Sequence, residues 1–374
     1  MSEPLTEKPK NETNLFLTKN KKLRWGFSTG SAATAAALGA AIFLKTGRPP
    51  DQVEIALPQD KKLMVKLAEA DRVQGAAVKV TVVKDGGDDP DVTNGASISV
   101  LLKATNEMGL TILGGPGVGR VTRPGLVLPV GEWAVNPVPR SMLRQNLSPF
   151  LNGQGLEAII SIKDGENLAL KTLNPRLGII GGLSVLGTTG LVKPFSHQAY
   201  VATIDSALSV ARANGSSEVV LSTGGRSEGL ARKMRQDLPE AAFVQIADFF
   251  RVGLNLAVKH GFETIGLAEF FGKAVKQAAN YPYTHAHHND MNLAQLADWL
   301  DGLNPEAHGQ IAAAPTALAA LEILKNHKSL DLIPMVAKKV LASARGYAGP
   351  SPWLWVTVFD FDGTILAHES SRGL

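Results

Sequence analysis

Cysteine is absent from this 374-residue chain, and that absence excludes several kinds of chemistry. Without a thiol there is no disulfide, no thiolate metal ligand and no cysteine nucleophile. An excess of one charge is also missing, since 38 basic residues face 34 acidic ones, a formal net charge of +4. This mildly basic balance suits an anionic ligand, but it is too weak and too scattered to indicate nucleic-acid binding.

Long hydrophobic runs are missing as well. The longest run of small apolar residues, 32–44, is rich in alanine and too short to cross a bilayer. The opening residues, MSEPLTEKPKNETNLFLTKNKK, contain no apolar core of the signal-peptide kind. We therefore expect a cytoplasmic protein without a membrane partner, with a flexible tail over residues 1–20 and enough remaining length for two domains.

A glycine-rich stretch from Asn174 to Ser196, NPRLGIIGGLSVLGTTGLVKPFS, is the most distinctive feature of the chain. Its apolar residues predict a buried strand, and its glycines permit positive φ angles and leave amide groups accessible. Helical spacing begins at His197, so the stretch leads to a helix start, where anions are favoured. Two interpretations follow: a site for a nucleoside-bearing cofactor or acidic substrate, or merely tight backbone packing.

The patterns before and after this stretch differ. Before it, strand-like runs and a helix capped by Ser28, Thr29 or Ser31 predict a mixed α+β domain over residues 21–170. After it, strands alternate with helices, which predicts a three-layer α/β domain with a largely parallel sheet over residues 171–374. The last helices and strand can also pack back on the first domain. The strand-like runs of the first domain are 53–57, 63–67, 77–83 and 97–102.

Ligands of parallel sheets bind at the carboxyl ends of the strands, and several polar residues fall there. One predicted strand leads into the loop 223–228, and Asp248 and Glu269 follow the next two strands. We expect this loop to share one rim with residues 187–190 of the glycine-rich stretch.

Two further segments are candidates for anion binding. The helix start at 28–31 can admit a phosphate or carboxylate, as in small-molecule kinases, or can simply be a capped and closely packed helix. The proline- and glycine-rich segment 113–140 carries Arg120, Arg123 and Arg140, which can pair with carboxylates or remain solvated on a structural loop.

Three motifs are weighed against plainer interpretations. The histidine block THAHHND at 284–290 can bind a metal through His285 and His287, or it can supply a general base. No other residues in the sequence complete a metal site, so we expect no protein-bound metal. The acidic loop 85–94 lacks the calcium-loop pattern and predicts a solvated turn. VTVFDFDGT at 356–364 matches the nucleophile motif of haloacid-dehalogenase-type phosphatases, yet only ten residues follow, so it predicts a terminal strand and turn.

Several blocks together resemble the cobalt-precorrin-5B C1-methyltransferase family of anaerobic cobalamin (vitamin B12) biosynthesis. They are Gly26-Phe27-Ser28-Thr29-Gly30-Ser31, residues 114–131 followed by Asn136-Pro137-Val138-Pro139-Arg140, Asn174 to Ser196, Gly272-Lys273 with Lys276, and Thr284-His285 with Asp290. Three positions depart from common family residues: Ala32 lies near a frequent cysteine, Phe270 replaces a frequent histidine, and Asn292 lies near a frequent arginine.

The resemblance implies methyl transfer from S-adenosylmethionine to C1 of the tetrapyrrole cobalt-precorrin-5B, giving cobalt-precorrin-6A; the cobalt is carried by the substrate. Such a transfer needs alignment of donor and acceptor rather than a covalent nucleophile. A homo-oligomer and transient contacts with neighbouring pathway enzymes are compatible with this role. The cofactor is expected at Gly181, Gly182, Ser184, Gly187, Thr188, Thr189, Gly190, Thr223, Gly224 and Glu228.

The remaining expected site residues face the macrocycle and its carboxylates. His285 and Asp290 are expected to act as base or orienting groups. Residues expected to bind the substrate are Thr29, Gly30, Ser31, Arg123, Arg140, Asn174, Arg176, Arg226 and Lys273. Alternatives from other classes are a non-catalytic tetrapyrrole carrier, a kinase-like phosphotransferase and a metal-dependent hydrolase.

Overall fold

The computed structural model describes residues 23–73, 76–151, 153, 155–285 and 291–371. Helices and sheets are mixed along the chain, so the expected mixed α/β class is confirmed. The strands are β1 (Gly26–Phe27), β2 (Gln52–Ala56), β3 (Lys62–Lys66), β4 (Glu69–Val73), β5 (Ala77–Val83), β6 (Ser97–Thr105), β7 (Leu110–Gly114), β8 (Gly117–Val118), β9 (Arg120–Val121), β10 (Gly155–Ile162), β11 (Ile179–Ile180), β12 (Gly182–Leu183), β13 (Leu191–Val192), β14 (Glu218–Ser222), β15 (Phe243–Gln245), β16 (Thr264–Phe270), β17 (Trp353–Phe359) and β18 (Ile365–Ser370).

The helices are α1 (Thr29–Thr46), α2 (Pro137–Leu147), α3 (Gly165–Ala169), α4 (His197–Ala213), α5 (Gly225–Met234), α6 (Phe250–Lys259), α7 (Phe271–Ala278), α8 (Leu293–Trp299), α9 (Pro305–Ala312), α10 (Ala317–Asn326) and α11 (Ile333–Ala348). Short 3-10 turns lie at Ser148–Phe150, Glu240–Ala242 and Leu330–Leu332. Within the described ranges, no helix is both long and apolar enough to cross a membrane.

The chain divides into two compact units, each built from separate segments. The first holds the described residues up to Gly115, together with Val138–Lys163 and Val185–Phe195. The second holds Pro116–Pro137, Asp164–Ser184 and the described residues from Ser196 onward. The glycine-rich stretch therefore contributes to both units. The domain limits expected from the sequence stay a prediction.

In the first unit, helix α1 packs on a five-stranded sheet with the order β4-β5-β6-β10-β7. Only the β10–β7 pair of this sheet is parallel. The predicted cap is confirmed, since Ser28 Oγ accepts a hydrogen bond from the Ser31 N–H, and α1 ends at Gly47 with φ +78°. The small side chains of α1 let it lie close to the sheet: a Cβ at Gly39 would meet Val80 Cγ1 of β5 at 3.4 Å, and Leu67 Cδ1, just before β4, at 2.5 Å.

The second unit is organised around a five-stranded sheet with the order β15-β14-β16-β17-β18. Its first four strands are parallel, and β18 is antiparallel to β17. Helices α6, α7 and α11 cover one face with the larger apolar core, and α5 covers the other. The closing strands β17 and β18 thus belong to this sheet.

The buried strand predicted for the glycine-rich stretch is broken into short pieces. Short two-residue strands replace it: β11 pairs with β9 and β12 with β8 in the second unit, whereas β13 pairs with β1 in the first. The physical reason is the backbone, because Gly178, Gly181 and Gly182 have φ angles of +76°, +81° and +158°. Positive φ interrupts the extended conformation that a longer strand requires.

Candidate functional site

Three strand ends meet at one edge of the second unit's sheet. β14 ends at Ser222, β15 at Gln245 and β16 at Phe270, and the three strands are parallel neighbours. After β14 the chain enters α5 on one face, and after β16 it enters α7 on the other face. In open α/β sheets, ligands bind in the crevice where consecutive connections diverge in this way. This carboxyl edge is therefore the candidate ligand site.

An ion pair lies at this edge. The carboxylate of Asp248, just after β15, accepts hydrogen bonds through Oδ1 from the Lys273 ammonium and, at 3.2 Å, from the Thr284 hydroxyl. Lys273 also donates to the Thr284 carbonyl oxygen at 3.2 Å. No described residue donates to Asp248 Oδ2, and the Asp248 side chain is 17% exposed. One carboxylate oxygen is therefore available to a ligand hydroxyl.

Aromatic rings surround the ion pair. The rings of Tyr200 and Phe249 are stacked at 5.4 Å, and Tyr283 lies 5.1 Å from Phe249. His285 is stacked on Tyr283 at 6.0 Å with an interplanar angle of 9°. Burial and the charge of Asp248 raise the pKa of both tyrosines, so their hydroxyls stay protonated. The cluster offers flat rings and neutral hydroxyls to a planar group.

Among the buried polar side chains at the same edge, Glu269 and Gln277 lack a hydrogen bond of good geometry. Glu269, the penultimate residue of β16, is fully buried, and neither carboxyl oxygen has a hydrogen bond of good geometry. Both amide atoms of the fully buried Gln277 on α7 also lack one. Burial raises the pKa of Glu269 to about 8, although nearby Gln277 and Thr223 lower it in part. Such orphaned groups are rare in native proteins and call for a functional explanation.

Glu228, expected to bind the cofactor, is held by protein groups. Its carboxylate accepts hydrogen bonds from Arg176 at 3.0 and 3.1 Å, from Arg232 at 2.7 Å and from Gln245 at 2.6 Å. Arg176 donates in addition to the Phe243 carbonyl oxygen at 2.7 Å. These contacts tie the segment before β11 to β15 and give Glu228 and Arg176 a structural role. Their ligand roles stay predictions.

The start of α1, expected to bind substrate through Thr29, Gly30 and Ser31, contacts the glycine-rich stretch of its own unit. The Gly30 N–H donates to the Leu186 carbonyl at 3.0 Å, and the Thr29 hydroxyl exchanges hydrogen bonds with the Leu186 backbone. The Ser31 hydroxyl donates to the Gly190 carbonyl. These donors are already used, which disfavours the kinase-like alternative; the substrate role stays a prediction.

Three of the glycines expected to cradle the cofactor have close backbone or side-chain neighbours. At Gly187, with φ +136°, a Cβ would lie 2.2 Å from Ser28 Oγ, and at Gly182 it would lie 2.3 Å from the Gly117 backbone. A Cβ on Gly190 would likewise lie 2.6 Å from the Leu57 side chain, whereas a Cβ on Gly181 would meet no atom within 4 Å. The cofactor role of these glycines stays a prediction, and packing explains three of them.

The polar residues expected within the glycine-rich stretch differ in their surroundings. Ser184 is buried and donates to Asn174 Oδ1 at 3.3 Å, and Asn174 donates to the Gly182 carbonyl at 3.4 Å. Thr188 and Thr189 are exposed, and the Thr189 hydroxyl donates to the Leu191 carbonyl at 3.2 Å. The buried pair thus closes a loop, while the two threonines face solvent.

The expected cationic residues are spread over both units. Arg140 lies half-buried on α2 of the first unit, and Arg123 lies exposed in the second, its stem beside Gly178. Arg226, at the start of α5, lies over the stacked rings of Phe270 and Phe361 and donates to the Phe361 carbonyl at 2.8 Å. Arg226 is thus near the carboxyl edge, as are Lys273, Thr223 and Gly224.

The remaining motifs have plain surroundings. No cluster of three potential metal ligands occurs in the part of the chain that is described. In the phosphatase-like motif, Asp360 pairs with Lys325 at 2.7 Å, and Asp362 accepts from the Thr364 N–H at 2.8 Å. The predicted strand and turn are confirmed, but the strand is not terminal, because β18 follows it. Asp290, His287 and His288 lie outside the described residues.

Sequence reasoning placed Thr223, Asp248 and Glu269 at the edge but missed two features. One is the aromatic cluster, whose rings come from separate segments with no shared motif. The other is the contact of Glu269 with Gln277. A polar residue on the otherwise buried face of α7 was the available signal.

A doubly wound α/β unit with polar groups at the carboxyl ends of its strands is the arrangement of proteins that bind small ligands at that edge. The comparisons identify the family. A family model described as CbiD matches residues 17–194, and one described as "CbiD, C-terminal domain" matches residues 283–370. The chain belongs to the CbiD family, which confirms the resemblance.

Curated relatives carry an enzyme name. A cobalt-precorrin-5B C(1)-methyltransferase from Burkholderia thailandensis is 42% identical over 326 residues, 85% of this chain and 90% of the relative. One of the same name from Pseudomonas fluorescens is 39% identical over 92% of this chain and 96% of the relative. The expectation of a C-methyltransferase family is therefore confirmed. A solved cobalamin biosynthesis protein from Archaeoglobus fulgidus is 29% identical, with TM-score 0.37, over 69% of this chain and 80% of that chain.

Proposed function

We propose that this protein methylates C1 of cobalt-precorrin-5B with S-adenosylmethionine and so forms cobalt-precorrin-6A in anaerobic cobalamin biosynthesis. The observation that carries the proposal is 42% identity over 85% of the chain to a relative of that name. The finer fold, an α+β domain followed by a three-layer α/β domain, is part of the proposal. It is supported by the mostly antiparallel first sheet and the mostly parallel second sheet.

The donor is proposed to bind at the carboxyl edge of β14, β15 and β16. An adenosyl group needs a flat apolar surface for its base, and Tyr200, Phe249 and Tyr283 supply one. Its ribose hydroxyls need an acceptor, and Asp248 Oδ2 is available. Its methionyl carboxylate needs donors, and these are the main-chain amides at the N-terminus of α5. The space beside Gly224, which precedes that N-terminus, is open, because no atom lies within 4 Å of a Cβ built there. The residues present therefore fit this cofactor.

When bound, the sulfonium supplies the methyl group, and the protein's task is to hold donor and acceptor in line. Tyr200, backed by Phe249, would stack on the adenine, Tyr283 would help exclude water, and Asp248 would hold the ribose. Thr223 and Gly224 would hold the carboxylate end through the hydroxyl and main-chain amides. Lys273 would orient Asp248, because it already pairs with Oδ1. Alignment of this kind supplies much of the rate gain in such transfers.

The acceptor is proposed to be a cobalt tetrapyrrole with acidic side chains. Arg226 presents its guanidinium beside the flat Phe270 and Phe361 rings, a combination that suits a planar, carboxylated ligand. Arg123 is proposed as a further carboxylate partner and His285 as an orienting group, while the ligand role of Arg140, on α2 of the first unit, stays a prediction. The protein itself is proposed to need no resident metal.

The test is an incubation with cobalt-precorrin-5B and S-adenosylmethionine labelled with 13C in the methyl group. NMR of the product is expected to show the label at C1; no transfer by the wild-type protein would overturn the proposal.

For the donor site, Asp248→Asn removes a charged acceptor, so the affinity for S-adenosylmethionine should fall about 10- to 100-fold. The matched control is Asp205→Asn on α4, which alters an exposed ion pair between Asp205 and Lys259. Calorimetry measures both affinities, and thermal unfolding checks that both variants are folded. Unchanged affinity in Asp248→Asn would move the donor elsewhere.

A further inference from the structure

The carboxyl group of Glu269 is placed where an ordinary glutamate would not be ionised. It is fully buried, it lies at the carboxyl end of the central strand β16, and no hydrogen bond of good geometry reaches either oxygen. Its side chain lies on the sheet face that α7 covers, where the Gln277 amide is equally unpartnered. The nearby Gln277 and Thr223 side chains favour the ionised carboxylate only in part, and burial outweighs them, so the group keeps its proton.

The charged groups that act on Glu269 do not alter this. Lys273 on α7 and Asp248 after β15 are the two, and they pair with each other. The cation of Lys273 is therefore largely used by Asp248, and Glu269 has no counter-ion of its own. An additional cation arriving at this edge would change the balance, because an opposite charge favours the ionised form of an acid.

We propose that Glu269 is a positioning residue that releases its proton when a sulfonium ligand occupies the carboxyl edge and takes one up again when the ligand becomes a neutral thioether. The inference rests on the proposed function. In the first step the carboxyl O–H bond breaks, the proton passes to solvent, and a carboxylate remains to face the cation. After transfer the thioether carries no charge, so the carboxylate loses its counter-ion and is protonated again.

This coupling explains why an unpartnered acid is kept at the end of the strand. The carboxylate stabilises the substrate sulfonium by charge, but it gives the thioether product no such stabilisation. The site would thus hold the donor more tightly than the spent product, which favours exchange after each turnover. We expect the sulfonium form to bind about tenfold more tightly at pH 7, because at that pH a fall of the linked pKa from about 8 to about 6 gains about a factor of ten in affinity.

The experiment is calorimetric titration of the full-length protein at pH 7 in buffers of different ionisation enthalpy, which counts protons released on binding. S-adenosylmethionine should release close to one proton per chain, because a group with a pKa of about 8 is about nine-tenths protonated at pH 7. S-adenosylhomocysteine, the neutral thioether, should release none.

Glu269→Gln should abolish the release and reduce the preference for the sulfonium form. The matched control is Glu263→Gln, an exposed glutamate just before β16, which should behave as wild type. Infrared difference spectra of the wild-type protein give a second measurement. The band of a protonated carboxyl should disappear on adding S-adenosylmethionine and persist with the thioether, whether or not the variant folds.

The outcomes separate the two proposals. Tight binding of S-adenosylmethionine without proton release, or an unchanged carboxyl band, overturns the role of Glu269 and leaves the proposed function standing. Release that persists in Glu269→Gln also overturns it. If the wild-type protein binds neither ligand, both the donor assignment and this inference fail.

Discussion

The buried acid of β16 makes the stability of the second unit depend on pH in an unusual direction. Burial raises the pKa of Glu269 from 4.5 to about 8. Between these values the unfolded carboxyl is ionised while the folded one still holds its proton. The folded state therefore binds more protons, and stability must fall as the pH rises through this window. At 1.36 kcal/mol per pH unit the total loss is about 5 kcal/mol, complete once the pH exceeds about 8.

Glu269→Gln removes the titration while keeping the shape of the side chain. Relative to wild type, the variant should therefore gain about 4 kcal/mol between pH 5 and pH 8. Urea unfolding followed by tryptophan fluorescence measures this, because four of the five tryptophans, Trp133, Trp299, Trp353 and Trp355, lie in the second unit. Glu263→Gln is the control and should follow the wild-type profile. Parallel pH profiles for wild type and Glu269→Gln would refute the reasoning.

Two further substitutions test the packing described above. Gly187→Val forces a β-branched residue to a φ of +136° and against Ser28 Oγ. It should destabilise the first unit by about 2–4 kcal/mol, which thermal unfolding measures. An unchanged melting temperature would show that the loop adapts. Arg176→Met leaves Glu228 with fewer donors and should cost about 1–3 kcal/mol in urea unfolding of the second unit, while equal stability would show that Arg232 and Gln245 suffice.

Local features of the fold could be predicted because they depend on neighbouring residues. The cap at Ser28, the alanine-rich helix α1 and the alternation of strands and helices after residue 215 are encoded by spacing and side-chain type. The placing of Asp248 and Glu269 at strand ends followed from the same alternation.

The rest could not be predicted, because it depends on partners that are distant in sequence. Gly30 and Leu186 are joined by a backbone hydrogen bond, and Arg176 reaches Glu228, 52 positions away. A glycine that avoids a clash with Ser28 looks the same in sequence as a glycine that cradles a ligand. Likewise, whether Glu269 has a hydrogen-bond partner is decided by the packing of α7, which periodicity does not reveal.

The central claim is that the methyl donor binds at the carboxyl edge of β14, β15 and β16. Ultraviolet crosslinking of labelled S-adenosylmethionine to the full-length protein, followed by peptide mapping, tests it most directly. We predict label in the peptides that contain Thr223 or Asp248, and a loss of label in Asp248→Asn. Label confined to residues 181–190 would contradict the claim.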